Sequence, residues 1–321
     1  MAPRKNTFDD KLARLRKLAD APEAEAIVEL RKLLADDNVF FIGEAAKLVK
    51  TLEARALEKD LADACKRLLA GEVADRGCIA KRLLLDVLVM FEAHVPELYL
   101  EGLRHKQVEF TPPGPPTDTA GAVRGYCAHA LVRIDHPDAI LEVAPLLFDD
   151  LPEVRMAAAE ALASTGEQNC AAILHARLLA GEDESDALGA IYRSLLALAP
   201  KRYLPLVGEA LRDGQDAAAL ALGESRLPAA LPVLKSGLER ASGDLEGTIL
   251  LSMALLRMEE ATAYLRELVE KAPENRAAKA IEALALHRHD ARVSDRVAEI
   301  VKARKSKKLA RMFSEKFGRD V

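Results

Sequence analysis

The chain has 321 residues, half of them apolar and 30% charged, with no Trp, only 4% aromatics and a formal net charge of −5. That supplies a large core, but the longest apolar run, LLLDVLVMF at Leu83–Phe91, is interrupted by Asp86 and is too short to cross a bilayer. Ala and Leu dominate while Val, Ile and Thr are scattered, a mixture that favours helices and argues against extended β segments.

In chain order, MAPRKNTFDD lacks the apolar centre of a secretory leader, so the expected location is cytoplasmic, and residues 1–22 read as an arm or capping helix. EAEAIVELRKLLADD and FIGEAAKLVKTLEAR then form a pair of helices, and EKDLADACKRLLAG and EVADRGCIAKRLLLDVLVMF a second. Ile27, Leu30 and Leu34 recur at helical spacing, as do Leu61, Cys65 and Leu68. VPELYLEGLRHKQ opens a third pair, whose second helix is delayed by a Pro-rich insertion at 108–118. Pro112, Pro113, Pro115 and Pro116 around one glycine cannot continue a helix, which predicts an extended loop. Insertions in stacked repeats collect on one face and often line the binding surface. These prolines are therefore candidate partner contacts, beside the plainer reading of a tolerated surface loop.

From 119 the rhythm becomes regular. GAVRGYCAHALVRI (121–134) aligns with PEVRMAAAEALAST (152–165) at an offset of 31, placing Val123 on Val154, Arg124 on Arg155, Ala130 on Ala161 and Leu131 on Leu162. Second helices start near 119, 152, 185, 215, 244 and 274, each preceded by a first helix with a different face. A hairpin of about 30 residues cannot bury its own apolar face, so neighbours must stack and share a core. The expected fold is an all-α solenoid of about eight hairpins. Its repeats run over 23–290, looser over 23–107 and regular over 119–290, and a capping helix with a basic tail follows at 291–321.

The pattern of acidic turn, proline, Val-Arg, small residues and Ala-Leu in Asp150, Pro152, Val154, Arg155, Ala158, Ala161 and Leu162 resembles the short bacterial HEAT repeats first described in phycobilisome lyases. The resemblance is sharpest over 119–199 and weak before 107. It implies that the arginine after Val sits at the start of the second helix and reaches a turn carbonyl or acidic residue, making Arg124 and Arg155 structural. Gly189 stands at the equivalent place in the next repeat, and Arg276 falls one residue early, so any such ladder is partial.

Candidate contact residues on the face lined by second helices, expected to be concave, are Tyr126, Tyr192 and Arg193. The tail from Lys302 to Val321 holds eight basic and two acidic residues. Leu309, Met312, Phe313 and Phe317 share one helical face there, with Lys305, Lys307, Lys308, Arg311 and Lys316 around it. That helix either caps the last hairpin with its apolar stripe or contacts an anionic partner such as nucleic acid through its charges. Cys65, Cys78, Cys127 and Cys170 lie in helical patterns without metal-like spacing, and His287 and His289 are two apart, so neither set suggests a metal site. No phosphate loop, HExxH or GxSxG motif occurs, no histidine precedes a glutamate as in helical-repeat iron hydroxylases, and the Trp-free acidic repeats lack the aromatic basic groove of helical-repeat glycosylases. The expectation is a non-enzymatic, cofactor-free scaffold binding an unidentified protein, without membrane insertion. The alternatives are a nucleic-acid binder using the tail, or a lyase or glycosylase on the same fold.

Overall fold

The computed structural model describes residues 8–110 and 113–320. Among these the fold is all-α: nineteen α-helices, a few short 3₁₀ turns and one two-stranded β-hairpin. The chain folds as two compact units, residues 1–165 and 166–321.

In the first unit, α1 (Phe8–Leu15) precedes four hairpins: α2 (Glu23–Leu34) with α3 (Val39–Thr51), α4 (Glu58–Leu69) with α5 (Ile79–Phe91), α6 (Pro96–Leu103) with α7 (Gly121–Arg133), and α8 (Ala139–Val143) with α9 (Pro152–Ser164). Pro145 has no amide to donate, and the chain continues α8 as a 3₁₀ helix over Ala144–Phe148. The second unit holds α10 (Gln168–Leu179) with α11 (Ser185–Leu198), α12 (Pro200–Arg212) with α13 (Asp216–Glu224), α14 (Ala230–Leu238) with α15 (Gly243–Leu255), α16 (Glu259–Lys271) with α17 (Glu274–Leu284), and α18 (Ala291–Arg304) with α19 (Lys307–Phe317). The tail thus adds a hairpin of its own.

Helix starts fall where turn chemistry puts them. Asn38, Asp290 and Ser306 accept side-chain hydrogen bonds from the amides of Phe40, Arg292 and Leu309, and Pro152 begins α9 with Glu153 in its first turn. Within each unit the second helices pack side by side in chain order, α3 to α9 and α11 to α19, and the core lies between them and the first helices. Leu30, Leu61, Leu84 and Leu131 in the first unit, and Leu174, Leu195, Leu234 and Leu265 in the second, are fully buried. Each contributes about 1.5–3 kcal/mol of apolar burial.

Small residues set how close second helices come. A Cβ at Gly125 of α7 would lie 3.1 Å from the Ala157 Cβ of α9, and one at Gly223 of α13 only 2.4 Å from the Ser252 carbonyl oxygen of α15. The four cysteines are buried and form no disulfide with one another. Burial pushes the Cys65 thiol up to about 12 and raises Cys127 well above the ordinary thiol value, so these two thiols pack as apolar groups rather than acting as nucleophiles.

Candidate functional site

The Pro-rich insertion is not a featureless loop. Val108–Glu109 (β1) pairs antiparallel with Thr117–Asp118 (β2), Val108 opposite Asp118 and Glu109 opposite Thr117. The expectation of no extended segment fails here because two short runs either side of a proline tip are free to pair, whatever the surrounding composition. Pro113, Pro115 and Pro116 are exposed at the tip, and Pro112 lies outside the described residues.

The base of this hairpin is held by a polar network. Asp118 accepts from the amides of Gln107 at 3.1 Å and Ala120 at 3.0 Å, so it starts α7 and closes the hairpin together. Beneath it Arg124, 1% exposed, donates to Asp118 at 2.8 Å, to Asp149 at 2.9 Å and to the His105 carbonyl at 2.8 Å. Arg155, one repeat on, donates to the carbonyls of Asp149 at 2.9 Å and Asp150 at 3.1 Å. Asp149 therefore joins two successive repeats, through its carboxylate to one arginine and its carbonyl to the other. A planar fork with five donors meets three acceptors at Arg124 where an ammonium would lack the reach.

On the other side β1 is tied to the turn before α5. Asp75 accepts from the amides of Ala80 at 3.1 Å and Lys81 at 2.9 Å, across a turn in which Gly77 and Cys78 have φ of 69° and 51°. The Gly77 amide donates to Glu109 at 2.9 Å. Lys81, 2% exposed, donates to Gln107 at 2.7 Å, and Gln107 donates to the Asp75 carbonyl at 2.7 Å. None of Asp75, Lys81, Gln107, Glu109 or Asp118 stands out in a motif search. One signal was legible: Lys81, Leu84, Leu85 and Leu88 share helical spacing, which puts a lysine on the core stripe of α5.

Large apolar side chains are left exposed around this hairpin. Val108 and Phe110, two apart on extended chain, are 65% and 60% exposed, and Ile79, which starts α5 just after the turn held by Glu109, is 60% exposed. The stretch from Phe110 to Thr117 carries no charge in a chain that is 30% charged.

The electrostatics of the base have a pH consequence. Burial raises the Asp118 carboxyl, but the Ala120 and Gln107 amides and the Arg124 guanidinium outweigh it and hold it below its ordinary 3.8. Glu246 is likewise raised by burial and lowered further by Lys279 and Arg276, to a net value below 4.5. Both therefore stabilise the fold fully above those ordinary values, and the contribution drains away as pH falls through the lower folded ones. His105 is lowered below 6.5 by burial and then by Lys81, and His129 by burial, so these rings resist protonation and begin the loss below 6.5. Thermal midpoints should fall from pH 6.5 downward, most steeply below 4.5. An Asp118→Asn chain with an unchanged acid limb would show that this carboxylate is not responsible.

The remaining sequence candidates are dispersed. Tyr126 is half-buried on α7. Tyr192 does not belong to an exposed face: it is 3% exposed, and its hydroxyl donates to Gln215 at 2.7 Å, because its ring fills the space between α11 and the start of α13. Arg193 bridges to Glu224 of α13 at 3.2 Å. In the tail, Leu309, Phe313 and Phe317 are buried and α19 packs on α17. Lys316 pairs with Glu282 and Lys308 donates to Asn275, while Arg311 pairs with Glu315 at 3.2 Å within α19. Lys305, Lys307, Lys308 and Arg311 are exposed on the outside of the last hairpin. His287 is hydrogen-bonded to the Ala254 carbonyl at 3.0 Å.

Comparison with known proteins places part of this architecture. The family model for HEAT repeats matches residues 117–195. Among solved structures, the chain is similar to one from the complex of CpcE and CpcF of phycocyanin lyase from Nostoc sp. PCC7120, with 13% identity, 80% of this chain and 93% of that chain covered, and a TM-score of 0.34. It is also similar to an engineered protein at 16% identity, covering 99% and 97% of the two chains, with a TM-score of 0.34. No curated protein sequence matches. The expectation of a non-enzymatic protein is corrected by the first of these structures, whose matched chain is from a complex of phycocyanin lyase. At that identity it assigns this chain no reaction. Among the described residues no helix is long and apolar enough to cross a membrane.

Proposed function

We propose that the chain, whose residues 117–195 match the model for HEAT repeats, is a protein-binding scaffold which offers the Val108–Phe110 edge of its hairpin to an apolar groove on a partner. The observation that carries this reading is the contrast between exposed apolar side chains at the hairpin and its fixed polar base. Val108 and Phe110 on the hairpin, and Ile79 at the start of α5, are each at least 60% exposed, while the hairpin's base is fixed by buried charge pairs. Exposed apolar groups on a pre-ordered base lose little freedom on docking, so their burial converts efficiently into affinity. The second-helix face contributes less than its sequence suggested, since Tyr192 is internal and Arg193 is engaged with Glu224. The cytoplasm is the location attached to this reading, four buried thiols outside any disulfide being the form cysteines keep in a reducing compartment.

The test is capture from host lysate with the full chain and with a Val108→Ser/Phe110→Ser variant, each with and without nuclease. A stoichiometric protein that survives nuclease and is recovered about tenfold less with the variant supports the scaffold, the loss expected for anchor residues. An unchanged set of captured proteins counts against the hairpin. A second reading rests on the exposed Lys305, Lys307, Lys308 and Arg311 at the last hairpin. Nuclease-sensitive recovery that falls steeply with salt, and vanishes when these four are made neutral, would select nucleic acid instead.

A further inference from the structure

The second unit contains a cavity of about 520 Å³ lined by the first two turns of α10, the end of α11 and the first turn of α12. Its volume falls in the range of small-molecule sites, roughly 300–1,000 Å³. The floor is apolar, made by Ala171, Ala172, Leu198 and the Tyr203 ring, and the polar groups that reach it are Gln168, His175, Lys201 and Arg202. No carboxylate lines it, although acidic residues outnumber basic ones in the chain, 51 to 46.

Two exposed cations, two helix starts and a histidine without a hydrogen-bond partner among the described residues meet at this cavity. Lys201 and Arg202 are exposed, and neither is in an ion pair among the described residues; Arg202 instead lies 5.7 Å from the Tyr203 ring centroid. The N-terminal turns of α10 and α12 both border the space, and neither N-cap residue makes a side-chain cap hydrogen bond. His175 makes no hydrogen bond among the described residues. Its Nδ1 is sealed from solvent without a partner, and its ring packs 5.6 Å from Tyr203. That leaves Nε2 as the ring nitrogen open to the cavity, with the Tyr203 hydroxyl turned away to the Ala171 carbonyl at 3.3 Å.

We propose that this cavity binds a small organic anion, a carboxylate or phosphate carried on an apolar body. The head is held by Lys201, Arg202 and His175 Nε2, and the body lies on Leu198, Ala172 and the face of Tyr203. Arg and Lys supply charge, and the apolar lining selects against a bare inorganic ion. The site is separate from the hairpin and does not depend on the scaffold reading.

The experiment is a titration of the full chain, labelled at histidine, followed by nuclear magnetic resonance at constant ionic strength. Phenyl phosphate, benzoate, inorganic phosphate and benzyl alcohol are the probes. Saturable shifts of the His175 ring signals by phenyl phosphate or benzoate are expected, at least tenfold tighter than by inorganic phosphate, with no saturation by benzyl alcohol. The head group is read from which of the two aromatic anions binds more tightly. Lys201→Gln and Lys201→Gln/Arg202→Gln, both changes of exposed side chains, should weaken binding about tenfold and further. No saturable shift at His175, shifts confined to other histidines, or equal binding by the double variant would each overturn the assignment.

Discussion

Replacing Arg124 with methionine is expected to destabilise the first unit by about 3–5 kcal/mol, the usual consequence of removing one partner from a buried ionic cluster. The reason is not the lost attraction alone. Asp118 and Asp149, with side chains 15% and 7% exposed, would face each other's field with their cation gone. The hairpin would also lose the clamp that joins it to the His105 carbonyl and to the next repeat. Hydrogen exchange through urea titration reads this unit by unit, because a chain of two units need not unfold in one step. Adding Asp118→Asn and Asp149→Asn to the methionine variant should recover part of the loss by removing the stranded charge. A deficit below about 1 kcal/mol for Arg124→Met would mean the cluster is solvated in practice, and would remove the rigid base on which the docking proposal stands.

Gly223→Ala should cost the second unit about 3 kcal/mol, although alanine is the better helix former by about 1 kcal/mol. The added carbon would lie 2.4 Å from a carbonyl oxygen and 2.7 Å from a Cα, both of Ser252. Backbone atoms cannot turn aside as a side chain would, so α13 and α15 must separate, and every helix stacked after them must adjust. Gly247→Ala supplies the control. It sits within α15 with nothing within 4 Å of its missing Cβ, so the same substitution should stabilise slightly. Urea midpoints for the two variants should move in opposite directions. A shared direction would show that helix propensity, not close approach, governs these glycines.

How far the site could be foreseen varied residue by residue. Arg124 was legible as a structural arginine because repetition exposed it, and a residue that returns at a fixed offset has a neighbour of its own kind to bridge. Its partner Asp118 was not, since nothing in TPPGPPTD shows that the chain doubles back to bring that carboxylate above the arginine. Tyr192 was misjudged for a related reason. The second-helix periodicity marks both a face turned to the neighbouring helix and a face turned to solvent, and a tyrosine suits either until the position of Gln215 is known. That the tail docks at all was decided only by packing, as Phe313 and Phe317 needed the surface of α17 to bury them, while its outer cations stay exposed.

The sequence by itself determined that this protein is built from helices, that its repeats are paired helices near 30 residues long, and where most of them begin. Those features follow from local chemistry: helix propensity, a 3.6-residue apolar period, and prolines, acids and caps in the turns. Only the tertiary structure decided which polar residues would be buried together, which apolar ones would be left in water, and where a cavity would remain between α10 and α12. Those outcomes depend on contacts between residues 25 to 40 positions apart, as in Arg124 with Asp149 or Tyr203 with Ala171. The energy of such contacts resides in a geometry that no local run of residues encodes.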